Sequence, residues 1–335
     1  MTLSGPYARG MSTTWLVTGG AGYIGAHVVR ALLASGREAV VVDDLSTGFS
    51  SRVPSDVEQV QASVVDTDAM TRLLARVRPA GVLHIAGKKS PTESVGDPLL
   101  YARENAGAVI SLAQAARDTG TSRVVFSSSC SVYGNPDVEH VDEEDRLLPV
   151  SPYGESKLYG EQVLRAAAAA HGLGVVNLRY FNVIGAQAPE LRDTGAYNLV
   201  PLVLAALRDG VRPRVFGDDY DTPDGTCLRD YLDVADLAEA HVRAAEVLES
   251  ESRVATYNVG RGVGSSVLDV LRAVQDATGR PVPYDVVARR PGDPGRIVGR
   301  VDRIARELGW RATRDLAESV DSAWAAERAG VRLVR

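Results

Sequence analysis

Residues 18–25 read Thr-Gly-Gly-Ala-Gly-Tyr-Ile-Gly, a glycine-rich turn that contains the pattern G-x-G-x-x-G. An apolar run at 15–17 precedes this turn, and a segment with helical apolar spacing follows from Ile24 to Ala34. The glycines allow the backbone to come close to a pyrophosphate, and the start of a helix offers it oriented N–H groups. The stretch therefore predicts a strand, a turn and a helix that bind a dinucleotide.

The second predicted strand indicates which dinucleotide to expect. The apolar run Ala39–Val42 ends in Asp43 and Asp44, and no arginine stands at this strand end. A carboxylate at this position accepts hydrogen bonds from the adenosine ribose hydroxyls and repels a 2′-phosphate. We therefore predict NAD, rather than NADP, as the cofactor.

Further apolar runs without polar alternation predict a parallel sheet, since such strands are buried on both faces. The runs lie at 82–85, 124–126 and 175–178, with helical patterns at 67–77, 98–119 and 153–171. Right-handed crossovers between these strands give an α/β fold with a doubly wound parallel sheet of the Rossmann type.

After Gly185 the pattern loosens into clusters of proline, glycine and aspartate with helical stretches between them. These stretches lie at 198–209, 233–249, 266–278 and 315–327. We expect a Rossmann domain over 13–184, with segments near 229–262 returning to it. A smaller α/β substrate cap is expected to be formed mainly by 185–335.

The composition of the 335 residues narrows the class of protein. A net charge of −6 argues against a nucleic-acid or membrane-surface partner, and no apolar run of membrane-spanning length occurs. Only two cysteines are present, Cys130 and Cys227, and the histidines show no metal-ligand spacing, so we predict free thiols and no metal site. We expect a cytosolic protein in which the segment before Trp15 is a leader outside the fold.

Two serine-rich segments supply candidate catalytic groups. Residues 127–134 follow a predicted strand, and residues 151–157, Ser-Pro-Tyr-Gly-Glu-Ser-Lys, open a predicted helix with a serine cap and a proline in its first turn. Tyr153 and Lys157 are four residues apart, so they share one helix face. This spacing predicts a tyrosine and a lysine that act together.

A free phenol, with a pKa of about 10, is a poor base at neutral pH. We expect Lys157 and the cationic ring of the cofactor to lower the pKa of Tyr153. Tyr153 is then expected to take a proton from a substrate hydroxyl, and Ser129 to hydrogen-bond the same hydroxyl.

Eight stretches resemble the extended short-chain dehydrogenase/reductase family, and within it the enzymes that epimerise C4 of UDP-glucose and UDP-galactose. They are TGGAGYIGAHV, HIAGKKS, FSSSCSVYG, SPYGESKL, LRYFNVIGA, FGDDYDTPDGTCLRDY, YNVGRGVGSSVLDV and ARRPGD. The resemblance runs from Trp15 to Arg328. It implies reversible C4 epimerisation through a 4-keto intermediate, with NAD held tightly between the two hydride transfers. It also implies a homodimer packed through the helices near 98–119 and 153–171.

The resemblance assigns roles to individual residues. The catalytic set is Ser129, Tyr153 and Lys157. The cofactor set is Gly19, Gly22, Tyr23, Ile24, Gly25, Asp43, Asp44, Ala86, Lys89, Asn105, Tyr153, Lys157 and Tyr180. The substrate set is Ser129, Phe181, Asn182, Asn198, Leu199, Phe216, Arg229, Arg290, Asp293 and Ile297. Within it, the two arginines are expected to hold the UDP diphosphate, with the phenylalanine Phe216 at the uracil and the aspartate at the uridine ribose.

Three alternatives stay open at this point. Ile297 lies near a position that is tyrosine in relatives confined to UDP-glucose and UDP-galactose, so an N-acetylhexosamine, pentose or hexuronate is an alternative sugar. A nucleotide-sugar 4,6-dehydratase is disfavoured, because Cys130 and Ser131 stand where such enzymes have an additional acid and base. A non-catalytic NAD-binding regulator is disfavoured by the register of Tyr153 and Lys157.

Overall fold

Strands and helices alternate along the chain from Thr14, and the structure, a computed structural model, describes residues 13–195, 197–290 and 292–335. Residues 1–12 of the predicted leader lie outside the described residues. The strands are β1 (Thr14–Thr18), β2 (Glu38–Asp43), β3 (Glu58–Gln61), β4 (Gly81–His84), β5 (Arg123–Ser127), β6 (Gly174–Tyr180), β7 (Asn182–Ile184), β8 (Arg214–Phe216), β9 (Leu228–Asp233), β10 (Val254–Val259), β11 (Gly264–Ser266), β12 (Asp285–Val287) and β13 (Arg296–Ile297). The helices are α1 (Tyr23–Ala34), α2 (Thr67–Val77), α3 (Pro91–Gly96), α4 (Pro98–Tyr101), α5 (Ala108–Thr119), α6 (Pro152–His171), α7 (Leu199–Asp209), α8 (Val234–Ser250), α9 (Val267–Thr278), α10 (Asp302–Leu308) and α11 (Leu316–Arg328).

Seven strands form one parallel sheet in the order β10-β6-β5-β4-β1-β2-β3. The chain runs outward from β1 to β3 and then outward from β4 in the opposite direction. The order therefore reverses between β1 and β4. In an open α/β sheet ligands bind at the carboxyl ends of the strands beside such a switch point. The predicted doubly wound fold is confirmed. The candidate site is therefore sought at the carboxyl ends of β1 and β4.

The central strands are buried on both faces, as their apolar runs predict. Val17 and Val41 belong to a core beneath α1 and α8, whereas the neighbouring Leu16 and Val40 belong to a second core beneath α2, α5 and α6. Each fully buried side chain of this size contributes about 1.5–3 kcal/mol to folding. The sheet is therefore a rigid platform for the loops that follow its strands.

The cap is a smaller α/β unit. Strand β9 pairs with β7, β11 and β13, and β8 pairs with β12. Helices α7, α9 and α11 enclose a third core that includes Val203, Val270 and Val320. Strand β9 continues directly into α8, which packs against α1, so the cap is joined to the sheet through one continuous segment.

Two of the differences between the structure and the predicted elements concern the Rossmann domain. Strands β3 and β10, at the two edges of the sheet, were not predicted, because neither is a continuous apolar run: β3 carries the exposed polar residues Glu58 and Gln61, and β10 is interrupted by Thr256 and Asn258. The helix predicted over 98–119 is divided into α4, a π-helical turn at Ala102–Gly107 and α5. This turn contains the buried Asn105.

Candidate active site

Two glycines of the turn after β1 leave no room for a side chain. Gly19 has a φ of +70°, and a side chain there would meet the backbone nitrogen of Ala86 at 2.7 Å. A Cβ at Gly25 would overlap the backbone oxygen of Gly19. Both positions therefore require glycine, one for its backbone conformation and the other for the close approach of α1.

Helix α1 starts in this turn with Gly22 as its cap residue. Among the described residues no side chain caps the helix, and its first turn holds no acidic residue. The first N–H groups of a helix lack intrahelical partners, and the positive end of its dipole favours an anion. The turn therefore fits the pyrophosphate of a dinucleotide.

The two aspartates after β2 have different surroundings. Asp43 is buried, and its carboxylate accepts hydrogen bonds from the backbone N–H groups of Ala21 (3.0 Å) and Leu45 (2.9 Å). Burial raises the pKa of Asp43. Asp44 is exposed and accepts from the N–H of Ser46. Asp43 thus links the glycine turn to the end of β2, while Asp44 faces solvent at the end of the same strand.

Asn105, predicted to line the cofactor pocket, holds the backbone of the loop after β4. Its Oδ1 accepts from the N–H of Lys88 (2.7 Å), and its Nδ2 donates to the backbone oxygen of Lys88 (3.0 Å) and to Ser156 Oγ (3.0 Å). The side chain therefore fixes the shape of this loop beside α6.

Lys89 follows in the same loop and lies at the junction with the cap. Its Nζ is 3.6 Å from Asp193 Oδ1 and 5.8 Å from the centre of the Tyr23 ring. Asp193 Oδ2 also accepts from Asn198 Nδ2 (2.5 Å). Tyr23 in turn donates its hydroxyl to the backbone oxygen of Gly185 (2.7 Å). Asp193, which the sequence analysis did not single out, connects a predicted cofactor residue with a predicted substrate residue.

The remaining predicted cofactor residues also lie around the sheet edge. Ile24 is in the first turn of α1 and packs partly against the core, and Ala86 follows β4 with its N–H bonded to the oxygen of Thr18 (3.1 Å). Tyr180 ends β6, and burial raises the pKa of its phenol well above the usual value.

Tyr153 and Lys157 lie on α6 as their spacing predicts. Ser151 caps the helix by accepting from the N–H of Gly154 (3.2 Å), which fixes where the helix starts. The Tyr153 hydroxyl lies close enough to Ser129 for the serine to counteract part of the rise in its pKa, while the Ser129 hydroxyl donates to Ser131 Oγ (3.2 Å). Lys157 Nζ donates to the backbone oxygen of Ser127 (2.8 Å). The three predicted catalytic side chains are therefore brought together at the carboxyl end of β5.

The lowering of the Tyr153 pKa that is expected from Lys157 together with the cationic cofactor ring stays a prediction, whereas burial acts in the opposite direction. Burial raises the pKa of Tyr153 to about 12, and the nearby Ser129 offsets only part of this rise. Burial also lowers the pKa of Lys157 to about 8. Both changes have the same cause, since removal from water disfavours the charged form of either group. The spacing in the sequence contains no information on this desolvation.

The predicted phosphate and uridine residues meet in two pairs at the cap. Arg229 Nη2 donates to Asp293 Oδ1 (2.5 Å), and the guanidinium of Arg290 lies 3.8 Å above the centre of the Phe216 ring. Arg229 is largely buried, and the attraction of Asp293 contributes to a raised pKa of its guanidinium. Two planar cations and one aromatic face are therefore available on the same side of the molecule.

Two of the predicted sugar-side residues pack beside the loop after β5, and the others begin elements of the cap. Phe181 and Ile297 are buried in one apolar cluster with Val132, close in sequence to Ser129. Asn182 begins β7, where it pairs with β9, and Leu199 begins α7 directly after Asn198. Ile297 thus packs within the cluster that includes residues from the loop carrying Ser129.

Sequence reasoning also missed two buried ionic residues, Glu161 and Arg179. Glu161 lies on α6 four residues after Lys157, and Arg179 lies on β6. The repeat of four residues after Tyr153 and Lys157 was the available signal for Glu161. For Arg179 the signal was a charge inside an apolar strand.

No helix among the described residues is long and apolar enough to cross a membrane.

Comparison with known proteins adds a family and several relatives. The profile of the NAD dependent epimerase/dehydratase family matches residues 15–260. A UDP-glucose 4-epimerase from Azospirillum brasilense is 44% identical over 310 residues, which cover 91% of this chain and 89% of the relative.

Two solved structures are similar along almost their whole length. The UDP-glucose 4-epimerase from Brucella ovis in complex with NAD superposes with a TM-score of 0.90 at 38% identity, covering 96% of this chain and 99% of the other. The UDP-glucose 4-epimerase from Bifidobacterium longum in complex with NAD+ and UDP has a TM-score of 0.88 at 34% identity, covering 94% and 98%.

Proposed function

The chain belongs to the NAD-dependent epimerase/dehydratase family, and we infer that Tyr153, Lys157 and Ser129 carry out its chemistry on a UDP-hexose. The protein interconverts UDP-galactose and UDP-glucose by reversible epimerisation at C4 and depends on NAD. One observation carries the assignment of residues: the phenol of Tyr153 lies near Ser129, and Lys157, one turn further along the same helix, donates to the backbone oxygen of Ser127, at the carboxyl end of the sheet where the glycine turn also lies.

The protein's own groups move a proton at the C4 hydroxyl. Bound NAD supplies a reversible acceptor for the hydrogen and electron pair of C4. Tyr153 takes the hydroxyl proton as its general base and returns it when the opposite configuration forms. Ser129 orients the hydroxyl, and Lys157 favours the phenolate form of Tyr153 by its positive charge. Because burial raises the pKa of Tyr153, a bound cofactor with a positively charged ring would assist Lys157 in favouring the phenolate.

The glycine turn fits the cofactor. The helix start at Gly22 would hold the pyrophosphate, and Asp43 with the exposed Asp44 would hold the adenosine ribose. Asn105 and Lys89 would shape the nicotinamide end through the loop after β4. The cofactor is regenerated in every turnover, so retention between cycles is expected.

The cap residues fit a UDP group. Arg229 and Arg290 offer planar guanidinium groups, which bind phosphate oxygens in a bidentate manner, and Phe216 offers a ring for the uracil. Asp293 orients Arg229 and would bind the uridine ribose. The sugar then extends towards the cluster of Phe181 and Ile297, so Ile297 would influence which substituents are accepted.

Cofactor binding and substrate binding are assigned to successive parts of the chain. We propose a cofactor domain over 13–184, to which segments near 229–262 return, and a substrate cap formed mainly by 185–335. The position of β10 in the central sheet and of α8 against α1 supports this division.

We also propose a cytosolic homodimer. The exposed apolar side chains Leu99, Ile110 and Tyr159 lie on α4, α5 and α6, and Leu99 is 80% exposed. These helices would pack against the same helices of a second copy. Light scattering of the purified protein tests this, and Leu99→Asp should convert a dimer into monomers.

The decisive experiment uses the purified protein without added cofactor. It is incubated separately with UDP-galactose and UDP-N-acetylgalactosamine, and the products are resolved by chromatography. Conversion of UDP-galactose to UDP-glucose is expected, and the ratio of the two rates measures how open the pocket is beside Ile297. No conversion of UDP-galactose, even with NAD supplied, would contradict the assignment.

A further inference from the structure

One face of α6 contacts three consecutive serines at the end of β5. Tyr153, Lys157 and Glu161 are spaced by four residues, so they lie along a single helix face. Tyr153 lies near Ser129, and Lys157 donates to the backbone oxygen of Ser127. Ser128, the serine between those two in the chain, donates its Oγ to Glu161 Oε1 over 2.5 Å, one turn beyond Lys157 on the helix.

Glu161 is buried and its carboxylate is fully engaged. Besides Ser128, it accepts two hydrogen bonds from Arg179, with Nε to Oε1 at 2.9 Å and Nη2 to Oε2 at 2.7 Å. Such a bidentate pair fixes the carboxylate in one plane. The side chains of Glu161 and Arg179 are 7% and 5% exposed, so protein groups rather than water form their hydrogen bonds.

Arg179 is anchored in turn on the other side of the loop. Its Nη1 donates to the Tyr133 hydroxyl (3.1 Å) and to the backbone oxygen of Glu143 (3.0 Å). Tyr133 also donates its hydroxyl to Asn258 Oδ1 (2.6 Å), at the end of β10. The network therefore connects both sides of the serine loop, residues 128–134 after β5, to the sheet.

A buried ion pair costs free energy of desolvation, and apolar side chains often replace one without loss of stability. A requirement for fixed geometry explains the pair better than stability does. We propose that Glu161 is a positioning residue that fixes Ser129 through Ser128. The inference rests on the proposed role of Ser129. It adds that the orientation of the Ser129 hydroxyl depends on a carboxylate two helical turns away from the catalytic tyrosine.

The test is a double-mutant cycle in the intact protein with its bound cofactor. Ser128→Ala removes the hydroxyl that Glu161 holds and leaves the pair with Arg179 in place. Ser128→Ala, Ser129→Ala and the double variant are compared for kcat, KM for UDP-galactose and NAD content. Ser319→Ala is the matched control, because it removes a buried serine hydrogen bond to Asp315 in α11, far along the chain from the serine loop.

Ser128→Ala is expected to lower kcat about 10-fold, because a misplaced catalytic group loses rate steeply, with KM and NAD content unchanged. In the Ser129→Ala background the same change should have no further effect, since the residue it positions is gone. An equal loss in both backgrounds, or no loss in either, would overturn the positioning role. Wild-type kcat in Ser129→Ala is a different outcome: it removes the role proposed for Ser129 itself, and the positioning role with it.

Discussion

The ammonium of Lys157 donates a hydrogen bond to the backbone oxygen of Ser127 over 2.8 Å. This contact ties the middle of the catalytic helix to the last residue of β5. It also leaves the charge of Lys157 in a buried place, and burial lowers its pKa to about 8. Loss of the Lys157 proton would therefore change both the charge beside Tyr153 and the contact between α6 and the end of β5.

The activity is expected to depend on the proton of Lys157. Because the folded protein binds this proton less tightly than the unfolded chain, the ammonium is lost as the pH rises through about 8. The kcat of the wild-type protein should fall over that range. Lys157→Met should lower kcat about 100-fold and lack this pH limb, as measured in a pH profile of kcat. The same limb in the variant would assign it to another group.

Tyr153→Phe removes the phenol and keeps the ring. We expect kcat to fall by at least about 100-fold, because the general base is lost, with NAD content and fold retained. Turnover of UDP-galactose and extraction of bound NAD measure this. Tyr284→Phe in the cap is the matched control, and near-normal turnover in the Tyr153 variant would exclude the proposed base.

Gly25→Ala should open the glycine turn. The added Cβ would overlap the backbone oxygen of Gly19, so α1 must move, at a cost of about 1–3 kcal/mol. We expect lower NAD content after gel filtration and a lower melting temperature. At Gly96 a Cβ meets nothing within 4 Å, so Gly96→Ala should leave NAD content unchanged.

Arg229→Lys keeps the charge and removes the planar fork. We expect KM for the UDP-sugar to rise about 10-fold with a smaller change in kcat, because the diphosphate binding is lost equally in the ground and transition states. Steady-state kinetics measure the change. Arg212→Lys, at an exposed arginine paired with Asp285, serves as control. An unchanged KM in the Arg229 variant would place the diphosphate elsewhere.

Asp230 should make the stability depend on pH. Its carboxylate accepts from the N–H groups of Arg261 and Gly262, yet burial raises its pKa to about 6. The folded state thus binds the proton more tightly than the unfolded chain. The stabilisation is present below the unfolded pKa of about 4 and is lost as the pH rises through 6, by roughly 3 kcal/mol.

The comparison with Asp230→Asn isolates this effect. The difference in free energy of unfolding between the two proteins, from urea titrations at several pH values, should shift in favour of the variant as the pH rises from 4 to 6. A difference that does not change with pH would show that Asp230 titrates normally.

The central fold and the catalytic helix could be predicted from local patterns. Leu16 and Val17 lie in an unbroken apolar run, and such a run has few alternatives to a strand buried on both faces. Ser151 caps α6 where the sequence indicated, so the relative position of Tyr153 and Lys157 followed from helix geometry.

Contacts between distant parts of the chain could not be predicted in this way. Glu161 meets Arg179 only because α6 packs on β6, and Asp193 meets Lys89 only because the cap folds back over the loop after β4. The pKa of Tyr153 depends on how completely the folded protein removes the phenol from water. These properties belong to the packing, which a single sequence does not display.

The place of β10 beside β6 has a consequence for synthesis of the protein. The chain leaves the central sheet after β6, builds much of the cap, and returns to add the last strand only at Val254–Val259. While the ribosome translates the residues between, β6 has an unpaired edge, which is a template for pairing with other chains. A nascent chain that stalls within the cap is therefore expected to aggregate. Strand β10 must be synthesised and paired with β6 before this edge of the sheet is covered.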